Sequence, residues 1–259
     1  MAKDVIADFG NGWYLTQKDL DYSHYRHEYE RRFVGLKNNV LDDPSLFHVF
    51  IYSSLSAAQN TERLMYTFNK LRMYKLDTPE RILEEDNRGK IESILKRTRF
   101  PNVKIRRFLG LAEWWSNSPK RDLIGMLIDD INSGGEKTIY LRNRLVEDGP
   151  EGIGHKISSL IVQIATEDIR DVKVVTVDRW VLQFLKDMGI KIKTGNKYKD
   201  VKVPDYRTVS GVSNEEYLEC ERVVSEMAED CNLGPGEFGQ ALWCKAAYVE
   251  PIKSLYDFL

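Results

Sequence analysis

The sequence predicts an all-α protein organised as two helical lobes. Three observations carry that expectation. Apolar residues recur at spacings of three and four along most of the chain, the period of an amphipathic helix. The strict alternation that marks a half-buried strand is nearly absent. The one β-rich run, Val172–Val177, is too isolated to build a sheet and reads as an extended linker between the lobes. A chain of 259 residues, 42% hydrophobic and 30% charged, is long enough and apolar enough to bury a real core. No run approaches the roughly 18 apolar residues that span a bilayer, and Met1–Gly10 has no apolar signal core. Cys220, Cys231 and Cys244 are odd in number and widely spaced, which suits neither a disulfide framework nor a CxxC zinc site. These features point away from membrane and secreted proteins and toward an intracellular one, in cytoplasm or nucleoid.

The elements follow in order. Tyr22–Leu36 carries Tyr25, Tyr29, Phe33 and Leu36 on one stripe. Asp42-Asp43-Pro44-Ser45 stops one helix and starts the next, with proline in a first turn. Leu46–Leu55 reads as an apolar helix and Thr61–Leu71 as another. Thr78-Pro79-Glu80 opens a short helix with Thr78 as its N-cap. Gly89–Arg97, Val103–Ser116 and Arg121–Asp130 continue the pattern until Ser133-Gly134-Gly135 breaks it. Thr138–Val146 and Ile157–Ala165 flank a glycine-rich hairpin at about 149–156. Arg179–Met188 ends at Gly189. Ile190–Val212 is irregular, with room for a short extended piece. Asn214–Glu229, capped by Ser213, and Phe238–Tyr248 complete the set.

Net charge is −2, so the global balance says nothing for nucleic acid, but the charge is segregated. Arg88 to Arg107 holds eight basic residues against Glu92, and a second basic stretch runs from Lys186 to Arg207. Eight acids against Arg222 lie in Glu215–Glu237. One charge run alone is the pattern of a solvated helix face. Two basic stretches with the acids placed elsewhere favour a polyanion partner, because phosphate contacts need local positive charge.

Glu151-Gly152-Ile153-Gly154-His155-Lys156 lies between two helical patterns. Two glycines around one aliphatic residue suit a tight hairpin with outward backbone amides at the start of the next helix. Amides and helix dipole together make a phosphate site, and glycine allows close approach. The same pattern also suits an ordinary glycine-rich turn. Lys156 falls in the first turn, where a helix N-terminus and partial desolvation favour the free amine of a nucleophile. Asp178, after Val175-Thr176-Val177, begins a helix. It reads as an N-cap, and a fixed carboxylate of that kind can also stabilise a developing cation.

Leu145…Gly152-Ile153-Gly154-His155-Lys156 followed by Val177-Asp178 resembles the helix-hairpin-helix DNA glycosylase superfamily, which includes endonuclease III and 8-oxoguanine DNA glycosylase. Ser56-Ala57-Ala58-Gln59-Asn60-Thr61-Glu62 is similar to the family segment that fills the hole left by a flipped base. The stretch from Asp77 to Lys104, with Phe100-Pro101-Asn102, is similar to the following helices and a second wedge. The likeness covers roughly residues 44 to 186. It implies two lobes with a DNA-binding cleft between them: residues 46–166, containing the hairpin, and residues 1–45 with 167–259, presenting Asp178.

The resemblance also implies a chemistry. Gln59, with Asn60 beside it, would contact the orphaned base, and Phe100 would wedge into the stack; a core aromatic is the other reading of Phe100. Gly152, Ile153, Gly154 and His155 would form the phosphate-gripping hairpin, and the basic helix Lys96–Arg107 would add sequence-independent attraction. Lys156 would attack the sugar C1′ and form a Schiff base, and Asp178 would stabilise the oxocarbenium-like charge. With the lysine present, the resemblance implies a DNA glycosylase that is also an abasic-site lyase, acting as a monomer on double-stranded DNA that holds a damaged base. Phe238-Gly239-Gln240-Ala241-Leu242-Trp243 is similar to the C-terminal helix of 8-oxoguanine glycosylases, which gives Gln240 as purine reader and Trp243, Phe238 or Trp180 as stacking partner. A surface glutamine is the other reading of Gln240. Oxidised pyrimidines such as thymine glycol are the alternative substrate, and a non-catalytic DNA-binding module is the alternative function.

Three departures from the family pattern stand out. The three cysteines are too few and wrongly spaced for the iron–sulfur loop of endonuclease III, so no cofactor and no metal is expected. The large N-terminal β domain of the eukaryotic 8-oxoguanine enzymes is missing. The Lys156–Asp178 interval is slightly long, with extra residues around Glu167–Lys173.

Overall fold

The computed structural model describes residues 4–36, 42–57, 60–117, 121–132, 137–204 and 212–246. Among these are twelve α-helices and two small antiparallel hairpins, so the fold is all-α in its main elements. The chain divides into two compact units, residues 30–167 and residues 1–29 with 168–259.

In the contiguous unit, α1 (Gln17–Phe33) contributes its last turns. A capping box of Asp42 and Ser45 then opens α2 (Asp43–Ser56), with Pro44 in its first turn. Asn60 caps α3 (Thr61–Met73) and Thr78 caps α4 (Pro79–Leu83). A 3₁₀ turn, Glu85–Asn87, leads into α5 (Arg88–Leu95), then α6 (Pro101–Ser116), α7 (Arg121–Asn132), α8 (Thr138–Asp148) and α9 (His155–Ala165). The core is aromatic. Phe47 and Phe50 meet Trp115 at ring distances of 4.9 and 5.1 Å, and Phe33 meets Tyr52 and Phe68 at 5.9 and 5.6 Å. Buried Arg31 donates to the carbonyls of Ile164, Ala165 and Thr166, the acceptors that the end of α9 leaves without helical partners. These contacts of Arg31 and Phe33 place the border inside α1, ahead of the 45/46 position that the sequence suggests.

In the discontinuous unit, β1 (Val5–Gly10) pairs with β2 (Trp13–Thr16) before α1 begins at Gln17. The tight turn between them takes left-handed backbone at Gly10, Asn11 and Gly12. The apolar periodicity of the sequence starts the first helix only at Tyr22 and predicts no strand here. The apolar side chains of so short a ribbon, Phe9 and Trp13, show their role only when Phe184 is beside them, at 5.4 and 5.0 Å.

Past a 3₁₀ turn at Ile169–Asp171, residues Val172–Val177 are extended, as expected, but they are no linker. Val172, Val174, Val175 and Val177 are buried, and the strand-like backbone is satisfied by side chains: Val175 and Val177 N–H groups donate to Glu221 and Tyr217. A buried extended segment needs such partners wherever no neighbouring strand supplies them. Then follow α10 (Arg179–Asp187), a hairpin of β3 (Lys191–Thr194) and β4 (Lys197–Asp200), α11 (Asn214–Asp230) with a Ser213–Glu216 capping box, and α12 (Pro235–Ala246). Gly236 and Gly239 let α12 lie against the valine segment, since a Cβ on either would fall within 2.6 and 2.8 Å of Val172 and Val175 side chains. Among the described residues no helix is long and apolar enough to cross a membrane.

Candidate active site

Three glycines of the hairpin between α8 and α9 stand in different surroundings. At Gly149 a Cβ would fall 2.0 Å from the carbonyl oxygen of Leu145, so the chain can only leave α8 with a glycine there. At Gly152 the backbone has φ +88°, and a Cβ would meet Arg107 Nε at 2.2 Å. Ile153 between the glycines is buried and anchors the loop to the core. Gly154 is different. Its φ is −92° and its missing Cβ faces open space, so the fold itself does not demand glycine there. An exposed position without a side chain is what close approach of a ligand to the backbone requires.

Gly154 is also the N-cap of α9, and no side chain caps the helix. The positive end of the helix is left for an external acceptor. His155 and Lys156 are the first two helical residues, both half-buried. Arg106 pairs with Glu151 on the outer side of the hairpin at 3.1 Å, both ends well exposed. A groove of about 830 Å³ along α5 and α6 reaches Glu151 and includes Arg88, Lys96 and Arg106.

Two residues behind the hairpin carry no individual signal in the sequence. Lys104 belongs to the basic stretch expected to form an exposed, phosphate-attracting helix face, but it is buried at 3% exposure. Its ammonium donates to the carbonyl of Leu55 at 2.7 Å. Burial, and then the charges of Arg107 and Lys156, bring its pKa down to about 7. Arg107 lies over Gly152. Charge runs do not reveal which face of a helix turns inward, and here every fourth residue, Lys104, Phe108 and Ala112, faces the core. Lys96, Arg97 and Arg106 keep the solvent exposure expected of that stretch.

The two wedge segments differ. Gln59 lies outside the described residues. Asn60 is held as the cap of α3, its Oδ1 accepting from the Arg63 N–H at 2.9 Å. Phe100 is half-buried at the N-cap of α6 with φ 55° and ψ 55°, a left-handed backbone that a bulky residue adopts only at a cost. The Arg99 guanidinium lies 5.5 Å over its ring.

In the discontinuous unit, Asp178 caps α10. Its Oδ1 accepts from the N–H groups of Trp180 and Val181 at 2.8 and 3.1 Å. The carboxylate is thereby fixed in position, which suits both roles that the sequence suggests for it. On α12, Gln240 is buried at 5% exposure, so it is no surface glutamine. Trp243 is half-buried with the Arg26 guanidinium 3.5 Å from its ring centre. His24 and Glu237 form a 2.6 Å contact between the same two helices. Phe238 is a correction. It is fully buried, with its ring 5.8 Å from Phe9, and a side chain inside the core cannot stack on a base. Cys220 and Cys244 are core residues too, and burial pushes the Cys220 thiol up to about 12. Among the described residues no three His, Cys, Asp or Glu side chains gather as metal ligands.

No protein-family model and no curated protein matches the sequence. Solved structures do resemble it. The 8-oxoguanine DNA glycosylase of Methanocaldococcus jannaschii aligns over 88% of both chains with a TM-score of 0.60 and 21% identity. The 8-oxoguanine DNA glycosylase of Thermotoga maritima aligns over 88% of this chain and 90% of its own, with a TM-score of 0.59 and 18% identity. This chain therefore has the helical fold of these two 8-oxoguanine DNA glycosylases.

Proposed function

We propose that the protein is a base-excision repair enzyme, a DNA glycosylase with abasic-site lyase activity, and that 8-oxoguanine is its preferred base. The observation that carries this reading is the position of Lys156. An amine-bearing side chain stands in the first turn of a helix whose N-terminus lacks a side-chain cap, directly after an open glycine. Phosphate binding alone would need the glycine and the amides but no nucleophile. The two solved structures described above are 8-oxoguanine glycosylases, which favours that base over oxidised pyrimidines.

In this reading the protein binds duplex DNA as a monomer inside the cell and needs no cofactor. The amides around Gly154 take a phosphate, and the target nucleotide leaves the stack. The Lys156 nitrogen attacks C1′. The glycosidic bond breaks, and the base departs with its electron pair and takes up a proton. The Asp178 carboxylate offsets the positive charge that grows on the sugar. Opening of the sugar ring leaves an iminium at C1′. That group acidifies the C2′ proton, whose loss expels the 3′ phosphate and nicks the strand. Water then hydrolyses the imine and frees Lys156.

Borohydride reduction tests this directly. Duplexes holding 8-oxoguanine, thymine glycol or an abasic site are incubated with the protein and reductant, and a covalent protein–DNA band is sought. A band with 8-oxoguanine that is lost in Lys156→Gln, with DNA affinity kept within about threefold, is the expected result. A band with thymine glycol alone moves the substrate. No band with any duplex leaves a DNA-binding module or a glycosylase that uses water.

A further inference from the structure

The second basic stretch of the sequence has no part in the chemistry above. In the structure its central part forms the β3–β4 hairpin. β3 alternates exposed Lys191, buried Ile192, exposed Lys193 and buried Thr194, so one face packs inward while the other faces solvent. β4 is exposed at all four positions, Lys197 to Asp200. The register sets Lys193 directly opposite Tyr198 and Lys191 opposite Asp200. Lys197 and Lys199 flank Tyr198, which is 70% exposed.

Lysines on an edge strand have a familiar reason, since they deter pairing with other sheets. That reason does not account for an exposed tyrosine on the face that carries Lys191 and Lys193. The nearby acids accept hydrogen bonds, Glu215 from the Gly195 N–H at 2.6 Å, Glu219 from the Lys193 N–H and from Arg222, and Glu216 from Ser213, and the charges of Lys193 and Lys199 act on Glu219 and Glu216 without closing an ion pair. Asp200 is the carboxylate on the ribbon itself. None of Lys191, Lys193, Lys197 and Lys199 makes an ion pair among the described residues. Exposed lysines on both faces of the ribbon, with Tyr198 beside Lys193 and Lys191 on one of them, match a strand of nucleic acid, with phosphates for the charges and a base face for the ring.

We propose that the β3–β4 hairpin is a second DNA-contacting element, its lysines meeting phosphates and Tyr198 stacking on an unstacked base. The inference rests on the DNA reading for its partner, but not on base excision. The test compares the full chain with the fourfold variant Lys191→Gln, Lys193→Gln, Lys197→Gln, Lys199→Gln, and with Tyr198→Ala and Tyr198→Phe. Binding to an undamaged duplex and to a single-stranded oligonucleotide is measured across a salt series. Each lost phosphate contact lowers the slope of log affinity against log salt by about 0.9 on duplex. The fourfold variant is expected to lose roughly three to four units of slope and about tenfold or more in low-salt affinity. Tyr198→Ala should weaken single-strand binding about fivefold or more, and Tyr198→Phe should keep it, because stacking needs the ring and not the hydroxyl. An unchanged slope in the fourfold variant overturns the proposal and returns the lysines to edge protection. Wild-type protein that binds DNA yet never traps ends the lyase reading and leaves this one standing, whereas wild-type protein that binds no DNA ends both.

Discussion

Lys104 Nζ donates to the carbonyl oxygen of Leu55 at 2.7 Å, so a buried ammonium on α6 holds the last turn of α2. The unfolded chain keeps this proton up to the usual 10.5, the folded chain only to about 7. Between those values the unfolded state binds more protons, and stability rises with pH. Below about pH 7 both states are protonated and the full cost of burying the charge is present. Lys104→Met removes this titration. Urea midpoints of wild type and variant, compared from pH 7 to 10, should diverge in favour of the wild type as pH rises. A constant difference would show that burial does not perturb this amine.

Gly152 and Gly154 should respond in opposite ways to alanine. Gly152→Ala strains a left-handed backbone and drives Cβ into Arg107, so a loss of about 1–3 kcal/mol in unfolding free energy is expected. Gly154→Ala meets nothing in the protein and should cost no more than about 1 kcal/mol, the penalty of alanine at an N-cap. Its DNA affinity should nevertheless fall about tenfold, as the loss of a charge-assisted phosphate contact would require. Denaturation and binding curves of the two variants separate the roles.

Asp178→Asn keeps a good helix cap and removes the charge. Stability should stay within about 0.5 kcal/mol, while single-turnover base release slows by about a hundredfold or more. Asp178→Ala should lose the cap as well and about 1 kcal/mol of stability. An unchanged rate in Asp178→Asn moves the charge-stabilising role to another acid.

Phe238 and Trp243 share α12 but not a role. Phe238→Ala should cost about 3–5 kcal/mol, because it empties a fully buried site against Phe9. Trp243→Ala loses a half-buried ring and its Arg26 contact, so thermal stability should drop less and release of the damaged base should suffer more. Equal thermal losses with unaltered base release would make Trp243 a packing residue.

Helix starts are legible in the sequence because they depend on neighbours in the chain. Thr78 before Pro79, Ser213 before Glu216 and Asp178 before Arg179 each cap a helix whatever surrounds it. The hairpin is legible for the same reason, since Gly152-Ile153-Gly154-His155-Lys156 is a local arrangement of backbone freedom, anchor and amine. Burial is not, because it depends on residues far away in the chain. Only packing turns Val172–Val177 from a linker into core, with Glu221 and Tyr217 supplying its hydrogen bonds. Only packing draws Lys104 inward from a charged run, sends Phe238 behind Phe9, and gives the lysine-rich stretch after Gly189 a ribbon on which Tyr198 stands exposed. Spacing and residue type fix which groups are offered for chemistry, and long-range contacts decide which of them meet solvent.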